Sequence, residues 1–384
     1  MSDLTRRRLL LAAGSGFLSS FWLNEAALAQ GQAPAREAGK AIAGAAKGGT
    51  APKPLKIGFV YDARMEGYGG SARHAQSAAF LKKRLGNKVQ LVPAEQVAEG
   101  QDADRVLRQM CADGCSLIFG TAYGFMDPII RVARDFPGVH FESHAGFKTA
   151  DNVGTYNARF YEARYLAGML AAHASKQGVL AYVAPVPVAE VLQGINAYTL
   201  GARAVNPKAT VRVIWTNSWR DPARERDAAY TLLSQKADVF THHTDTVAVA
   251  EVARDRKLKF IGFQANYAKL LPSGLLLGSV LPDWDAYYLN RTQAVLNGSW
   301  AADRTWGGLK DGMVNLDVVS GNVSQAVRRQ LAQVRQQLIK GERHVFGGVI
   351  RGNDGTVRQL AGTLSDDALQ RMNWLVEGVI GRIS

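Results

Sequence analysis

Short apolar runs alternate with longer stretches of helical periodicity from residue 55 onward. The first run, "LKIGFVY" at residues 55–61, is followed by the amphipathic stretch "ARHAQSAAFLKKRLG" and then by a second run, "KVQLVPA". Continuously apolar runs indicate strands buried on both faces, and helical connections between them indicate parallel pairing. The same alternation begins again with "VLAYVAP" at residues 179–185. The pattern therefore predicts an α/β protein with two doubly wound parallel sheets, one in each of two lobes.

The C-terminal part of the chain departs from this alternation. "HVFGGVIRGNDGTVRQLAG" is typical of a hairpin that turns at Asn353-Asp354-Gly355. Ser365 begins "SDDALQRMNWLVEGV", for which we predict a capped helix. We predict the following division: a signal peptide at residues 1–29, a disordered linker at 30–54, the first part of lobe 1 at 55–175, lobe 2 at 176–280, and at 281–384 a hinge return with completing segments of both lobes, the hairpin and the helix.

The N-terminal segment has the pattern of an export signal. "TRRRLLLAAGSGFLSSFWLNEAALA" combines an arginine triplet, an apolar stretch too short for a membrane span, and a small-x-small cleavage site at Ala27-Leu28-Ala29. Arg6-Arg7 ahead of two leucines is typical of the twin-arginine route, although an ordinary secretory signal remains an alternative. No cysteine follows the cleavage site, so lipidation is not expected. We expect a periplasmic protein without a lipid anchor.

The charge of the chain does not suggest a nucleic-acid partner. The formal net charge is +13, and charged residues make up 21% of the chain. The basic residues are scattered among acidic ones, as where Arg224 and Arg226 flank Glu225. Such mixing is typical of solvated helix faces, whereas a nucleic-acid interface would group its basic residues on one face.

Motifs for catalysis or metal binding are missing from the sequence. It contains no phosphate-binding glycine loop, no nucleophile elbow and no H-E-x-x-H pair. His242 and His243 are neighbours on a predicted strand, so their side chains point to opposite faces and cannot reach one metal ion. Cys111 and Cys115 flank a turn; an exported protein could join them in a disulfide, and two buried thiols fit equally well. We expect no enzyme activity, cofactor or metal.

Aromatic, amide and acidic residues follow the predicted strands. In "VRVIWTNSWRDPARERDAAY" at residues 211–230, Trp219 lies on the loop between a predicted strand and a helix that begins near Pro222. Because the carboxyl ends of parallel strands meet at one edge of a sheet, these side chains should line a cleft between the lobes. Aromatic faces with a few polar groups suit a flat heterocyclic ligand. The predicted ligand-binding residues are Tyr68, Tyr123, Phe125, Trp219, Asp245, Gln264, Asn266 and Trp284.

Several of these segments resemble the basic membrane protein family. The similar motifs include "ARFYEARYLAGMLA", "NSWRDPARERDAA", "THHTD" and "GTLSDDALQRMNWLVEGV", and the resemblance covers nearly all of residues 55–380. The family comprises solute-binding components of ABC importers and includes purine nucleoside receptors. The resemblance implies a type I periplasmic-binding-protein fold, with two lobes, a three-strand hinge, and a ligand trapped when the lobes close. It also implies an ABC permease in the inner membrane as partner.

The resemblance assigns roles to individual positions. Trp219 matches the aromatic residue of the second lobe that stacks on the purine, and Asp245 matches the acidic position of the "HTD" motif. Tyr123 and Phe125 match a loop of the first lobe. Where the family carries an aromatic residue after the first strand, this chain has Gly69-Gly70, with Tyr68 nearby as a replacement.

A second departure concerns the sugar of a nucleoside. The nucleoside-binding members carry acidic residues where this chain has Gln264 and Asn266, and Leu281 stands where they carry a lysine. An amide is a weaker acceptor for two ribose hydroxyls than a carboxylate. We therefore expect a purine nucleobase-like heterocycle rather than an intact nucleoside, and a ligand outside the purines remains open.

Two other functions are compatible with the same scaffold. A ligand-binding sensor would dock on a membrane receptor instead of a permease, using the same outer surfaces of the closed lobes. A purine or nucleoside hydrolase would need an activated nucleophile or general base beside the ligand, and the sequence shows no such constellation.

Overall fold

The computed structural model describes residues 53–319, 321 and 323–383. The predicted signal peptide and nearly all of the predicted linker lie outside the described residues. The strands are β1 (Leu55–Val60), β2 (Val89–Ala94), β3 (Leu117–Gly120), β4 (His140–His144), β5 (Val153–Ala158), β6 (Val179–Ala184), β7 (Thr210–Trp215), β8 (Val239–His242), β9 (Lys259–Phe263), β10 (Leu276–Pro282), β11 (Arg304–Gly307), β12 (Val314–Asp317), β13 (Ile350–Arg351), β14 (Val357–Gln359) and β15 (Val379–Ile380).

The helices cover both faces of two sheets. They are α1 (Gly70–Leu85), α2 (Gln101–Ala112), α3 (Met126–Asp135), α4 (Phe160–Ala174), α5 (Ala189–Val205), α6 (Pro222–Ser234), α7 (Ala248–Asp255), α8 (Asp285–Leu296), α9 (Gln325–Lys340) and α10 (Asp366–Gln370). Among the described residues, none of these helices combines the length and the hydrophobicity needed to cross a bilayer.

Two parallel sheets form the cores of two lobes, as the sequence predicts. In lobe 1 the strand order is β11-β5-β4-β3-β1-β2, and every pairing is parallel. In lobe 2 the order is β12-β10-β9-β8-β6-β7-β15, with only β12 antiparallel to its neighbour. Central strands such as β3 are buried at every position because helices cover both faces of the sheet. The predicted α/β fold is confirmed.

The chain passes between the two sheets three times within the described residues. The crossings lie at residues 158–160, 282–285 and 307–314, where strands of one sheet are followed by elements that pack in the other lobe. The predicted boundary at residue 175 places α4 in lobe 1, whereas α4 packs on α5 in lobe 2. The reason is a close contact between the two helix backbones: a Cβ at Gly168 would be 1.9 Å from the carbonyl oxygen of Tyr198, and one at Gly201 equally close to that of Tyr165. Lobe 1 therefore ends at β5 and resumes with α8 and β11.

The C-terminal segment differs from its prediction in one respect. β13 and β14 form the expected hairpin, with Gly355 in a left-handed conformation at the turn. The helix begins at the predicted cap, since Ser365 accepts a hydrogen bond from the N–H of Ala368 at 3.2 Å. It ends at Gln370, however, and the chain continues to β15, which pairs with β7. The side-chain oxygen of Asn196 on α5 accepts a hydrogen bond from the N–H of Val376 at 2.9 Å. Because this N–H is bonded to α5, it is not available for a helical hydrogen bond.

A buried carboxylate on β4 attaches α8 to the sheet of lobe 1. Glu142 on β4 has no exposed surface and accepts hydrogen bonds from Tyr287 at 2.6 Å, from the indole of Trp300 at 2.8 Å, and from Arg291. Burial raises the pKa of Glu142, against the opposing effect of Arg291. Since β4 continues to His144, this network fixes the strand end that reaches the cleft.

The two cysteines are free thiols. Cys111 and Cys115 are both buried in the core of lobe 1, and burial raises the pKa of each to about 11. They are therefore protonated and unreactive at neutral pH.

Candidate functional site

The carboxyl ends of the two parallel sheets face each other and form a cleft. Several contacts between described residues join the lobes across it. The N–H of Gly70 donates to Asp245 at 2.7 Å, the ring of Tyr68 stacks on that of Tyr267 with centroids 5.0 Å apart, and Asn157 donates to Glu190 at 2.7 Å. These contacts describe a closed arrangement of the lobes.

Two glycines permit this closure at the rim of the cleft. Gly69 has a φ of 100°, and a Cβ there would lie 2.2 Å from the carboxylate of Asp245. A Cβ at Gly70 would lie 2.9 Å from the amide oxygen of Gln264. Because Gly69 and Gly70 have no side chains, the loop after β1 lies directly against lobe 2.

Asp245 belongs to this contact between the lobes. Its carboxylate also pairs with Arg220, whose guanidinium lies 3.8 Å from Asp62 of lobe 1. Burial raises the pKa of Asp245 to about 6, and the nearby charge of Asp62 adds to the increase while Arg220 opposes it. Asp245 therefore contributes to the contact that closes the cleft, and its ligand-binding role stays a prediction.

Trp219 lies at the mouth of the cleft. Its loop follows β7 and turns at Asn217, which has a φ of 53°; the carbonyl of Trp219 accepts a hydrogen bond from the N–H of Asp245 at 2.8 Å. The side chain is 37% exposed, and its ring lies 6.4 Å from the buried ring of His243 in an edge-on arrangement. An aromatic ring held by the loop backbone and exposed to this extent is available for stacking.

Deeper in the cleft lies a group of polar side chains that we term the cleft cluster: His144, Asn157, Glu190, His243 and Trp284. Glu190 is in the first turn of α5, with 24% of its side chain exposed. One of its oxygens accepts the hydrogen bond from Asn157, and the other lies 3.5 Å from the Nε2 atom of His243. His243 is held from behind by the hydroxyl of Tyr182, 3.0 Å from its Nδ1 atom.

His144 and Trp284 contribute polar atoms to the cluster from the side of the hinge. Their ring centroids are 5.1 Å apart, and Trp284 stacks on His74 at 5.1 Å with an interplanar angle of 7°. Within the part of the chain that the structure describes, the Nε2 atom of His144 and the Nε1 atom of Trp284 are buried without a hydrogen-bond partner. Buried polar atoms of this kind ordinarily have partners, and a bound ligand would supply them.

The protonation states define what the cluster offers at neutral pH. Burial lowers the pKa of His144 and of His243 to about 4, so both imidazoles are neutral. Although burial by itself raises the pKa of Glu190, the nearby ring of His243 and the hydrogen bond from Asn157 lower it below its ordinary value. The cluster therefore presents one carboxylate, two neutral imidazoles, an amide and an indole N–H. Such a set binds by hydrogen bonding.

The remaining predicted residues are distributed over different environments. Phe125 is a correction: it has no exposed surface and packs in the core of lobe 1, because the one-turn helix after β3 directs it inward. Tyr123 in the same turn is 46% exposed. Tyr68 is partly buried against Tyr267, so its ring packs on a residue of lobe 2. Trp284 is only 1% exposed and forms the floor of the cluster.

The two amides that stand in place of acids also differ from each other. Gln264 has a φ of 60° and lies beside Gly70 at the contact between the lobes. Asn266 is exposed, and its side-chain oxygen accepts the N–H of Ala268 at 2.9 Å, which caps a turn. Of the two, Gln264 is therefore the one at the cleft.

Four residues of the cluster are absent from the predicted set: His144, Asn157, Glu190 and His243. The signal that could have identified three of them is a position at the carboxyl end of a strand: His144 ends β4, Asn157 is the penultimate residue of β5, and His243 follows β8. Glu190 instead has the position of an acidic residue in the first turn of a helix, where such residues are common for helix stability alone.

Comparison with a family model identifies the chain. Residues 55–345 match the model Bmp, described as ABC transporter substrate-binding protein PnrA-like. The chain belongs to this family. Its members are substrate-binding proteins, so the protein binds a small molecule for an ABC transporter and is not an enzyme.

Individual relatives agree with the family. The chain is 42% identical, over 88% of its length and 97% of the relative, to a purine-binding protein of Brucella abortus (strain 2308). It is 33% identical, over 86% of its length and 81% of the relative, to a Haloferax volcanii protein named as a candidate glucose-binding protein of an ABC transporter.

Solved structures share the fold. A solute-binding protein of an ABC transporter system from Conexibacter woesei superposes with a TM-score of 0.64 at 22% identity, covering 76% of this chain and 98% of that protein. A transcriptional activator of the comK gene from Bacillus halodurans gives 0.67 at 23% identity, covering 75% and 99%. The similarity to the Conexibacter solute-binding protein confirms the predicted periplasmic-binding-protein fold.

The contact of Asp245 predicts how stability depends on pH. In the folded protein the pKa is about 6, whereas an unfolded chain titrates near 3.8, so the folded state binds the proton more tightly. The stabilisation is complete below about pH 4 and is lost as the pH rises through 6; between pH 5 and pH 7 it amounts to about 1 kcal/mol. Urea unfolding should therefore show a higher free energy of unfolding at pH 5 than at pH 7, and Asp245→Asn should reduce that difference. All other carboxyl groups are the same in the wild-type protein and in Asp245→Asn. An equal pH dependence of the free energy of unfolding in the two proteins would therefore contradict a raised pKa of Asp245.

Proposed function

We propose that this substrate-binding protein captures a purine nucleobase-like heterocycle between its lobes and delivers it to an ABC permease for import. The observation that carries the proposal is the combination of an exposed aromatic ring, Trp219, with the hydrogen-bonding cleft cluster behind it. A purine has two apolar faces and a rim of donors and acceptors. Stacking on the faces and hydrogen bonding at the rim match these two parts of the cleft.

The relatives support this ligand class over one alternative. The purine-binding protein of Brucella abortus is similar along nearly its whole length, and the candidate glucose-binding protein is less similar. A sugar would also stack on an aromatic ring. The hydroxyls of a sugar both donate and accept, so they can also satisfy the indole N–H of Trp284 and the imidazoles; the higher identity to the purine-binding relative carries the preference. Glucose therefore belongs in the binding panel as the competing ligand.

Base and nucleoside should be distinguished by the cleft. Gln264 lies beside Gly70 at the closed rim, and it is an amide where the family resemblance implies an acidic residue that holds the ribose hydroxyls. Calorimetry with adenine, guanine, hypoxanthine, their nucleosides and glucose should show at least one free base binding tenfold or more, about 1.4 kcal/mol, more tightly than its nucleoside. Small-angle scattering should show compaction with the same base. Binding of glucose alone, or of none of the panel, would contradict the proposed function; a tighter nucleoside would contradict only the preference for the base.

Trp219 should contribute to affinity and not to folding. Trp219→Ala should reduce the affinity for the bound base by roughly 1–3 kcal/mol, the range for truncating an aromatic residue that stacks on a base. Trp219→Phe should retain most of the affinity, and the melting temperature of the ligand-free protein should change little because the side chain is 37% exposed. Trp374 offers a matched control, since Trp374→Ala removes a partly buried indole that packs against Arg358 of the C-terminal hairpin. Unfolding of Trp219→Ala with unchanged affinity of its folded fraction would show that the residue is a core residue.

We further propose export by the twin-arginine route. The support is the sequence "TRRRLL" at residues 5–10, which precedes the described residues. Replacing both Arg6 and Arg7 with Lys should abolish the appearance of the protein in the periplasmic fraction, while the same exchange at Arg8 alone should have a smaller effect. Full periplasmic yield of the double variant would indicate the general secretory route instead.

A further inference from the structure

Glu190 is the only member of the cleft cluster that is ionised at neutral pH, and it lies on the exposed side of the cluster. Its neighbours fix its direction. Asn157 of lobe 1 donates to one oxygen at 2.7 Å, while Tyr182 orients the ring of His243 on the other side. An ionised carboxylate that retains 24% exposure beside a contact between the lobes has unused acceptor capacity.

We propose that Glu190 determines the specificity of the cleft by accepting a hydrogen bond from an N–H group of the bound heterocycle. This inference rests on the proposed function and extends it, because it selects among heterocycles. Those that present an N–H donor at the edge facing Glu190, such as an amino group or a protonated ring nitrogen, are bound; those in which that N–H is blocked are rejected.

The geometry leaves one oxygen of Glu190 free to accept a hydrogen bond from the ligand. The second oxygen of Glu190 lies 3.5 Å from the Nε2 atom of His243, too far for a strong hydrogen bond between them. An N–H group of a ligand would find the carboxylate oxygen without displacing a strong internal bond. Hydrogen bonds to charged acceptors contribute more than neutral ones, and an analogue without the donor leaves a desolvated carboxylate unpaired. One residue can therefore produce a large difference between related ligands.

Glu190 also has a structural role that must be separated from specificity. Its hydrogen bond with Asn157 connects the lobes near the first hinge crossing. If this connection were its whole contribution, removing the charge would weaken closure for every ligand by the same factor. If Glu190 instead recognises the ligand, removing its charge changes the ratio of the affinities for two ligands that differ only at the N–H group.

The experiment measures binding of matched ligand pairs to the full-length mature protein by calorimetry. The pairs are adenine with N6,N6-dimethyladenine, and hypoxanthine with 1-methylhypoxanthine. The variant is Glu190→Gln, and the control is Glu251→Gln, which makes the same exchange at a partly exposed ion pair of α7 in the same lobe. Melting temperatures of the ligand-free proteins establish that each variant is folded.

We expect the wild-type protein to prefer the unmethylated partner in at least one pair. This ratio of affinities should fall at least tenfold in Glu190→Gln and should be retained in Glu251→Gln. Steric rejection of the methyl group would persist in both variants, so only the hydrogen-bonded part of the preference is lost. An equal loss of affinity for both members of each pair, or no loss, would overturn the inference while leaving the proposed function standing. A wild-type protein that binds none of these four purines, and neither guanine nor any of the nucleosides, would overturn both.

Discussion

The hydrogen bond from the backbone of Gly70 to the carboxylate of Asp245 brings the two lobes into direct contact, and the geometry of the site depends on this approach. It requires the absence of side chains at residues 69 and 70, since a Cβ at Gly69 would overlap with the carboxylate. The same approach places Tyr68 on Tyr267. With the rim closed, the groups behind it are removed from bulk water. In this environment of low dielectric constant, hydrogen bonds and charges act more strongly than in water.

Charges on both sides of the cleft floor set the character of the cluster. Arg164 is completely buried behind the floor, with its guanidinium 4.1 Å from the ring centroid of Phe263 and hydrogen-bonded to the carbonyl of His242 at 2.8 Å. Burial and this positive charge lower the pKa of His242 to about 3. Glu190 faces the cleft from the other side. The imidazoles between these charges remain neutral, so the pattern of donors and acceptors is stable over the physiological pH range.

Elements whose formation depends on neighbours in the chain could be predicted from the sequence. α6 begins at Pro222, and Asp221 caps it by accepting the N–H of Arg224 at 3.0 Å. The lobe to which α4 belongs and the end of the C-terminal helix could not be predicted. Both are decided by contacts with α5, through the glycine at residue 168 and through Asn196, which lie far away in the sequence.

The same distinction applies to the site. The sequence by itself determined two parallel sheets, and with them the placement of Trp219 and Asp245 after strands whose carboxyl ends meet at the cleft, because strand direction and burial follow from the apolar pattern. Only the tertiary structure decided that Phe125 lies in the core and that Glu190 meets Asn157 across the cleft. Burial and pairing between lobes depend on residues brought together by folding, and no local pattern in the chain encodes which side chain will stand opposite another.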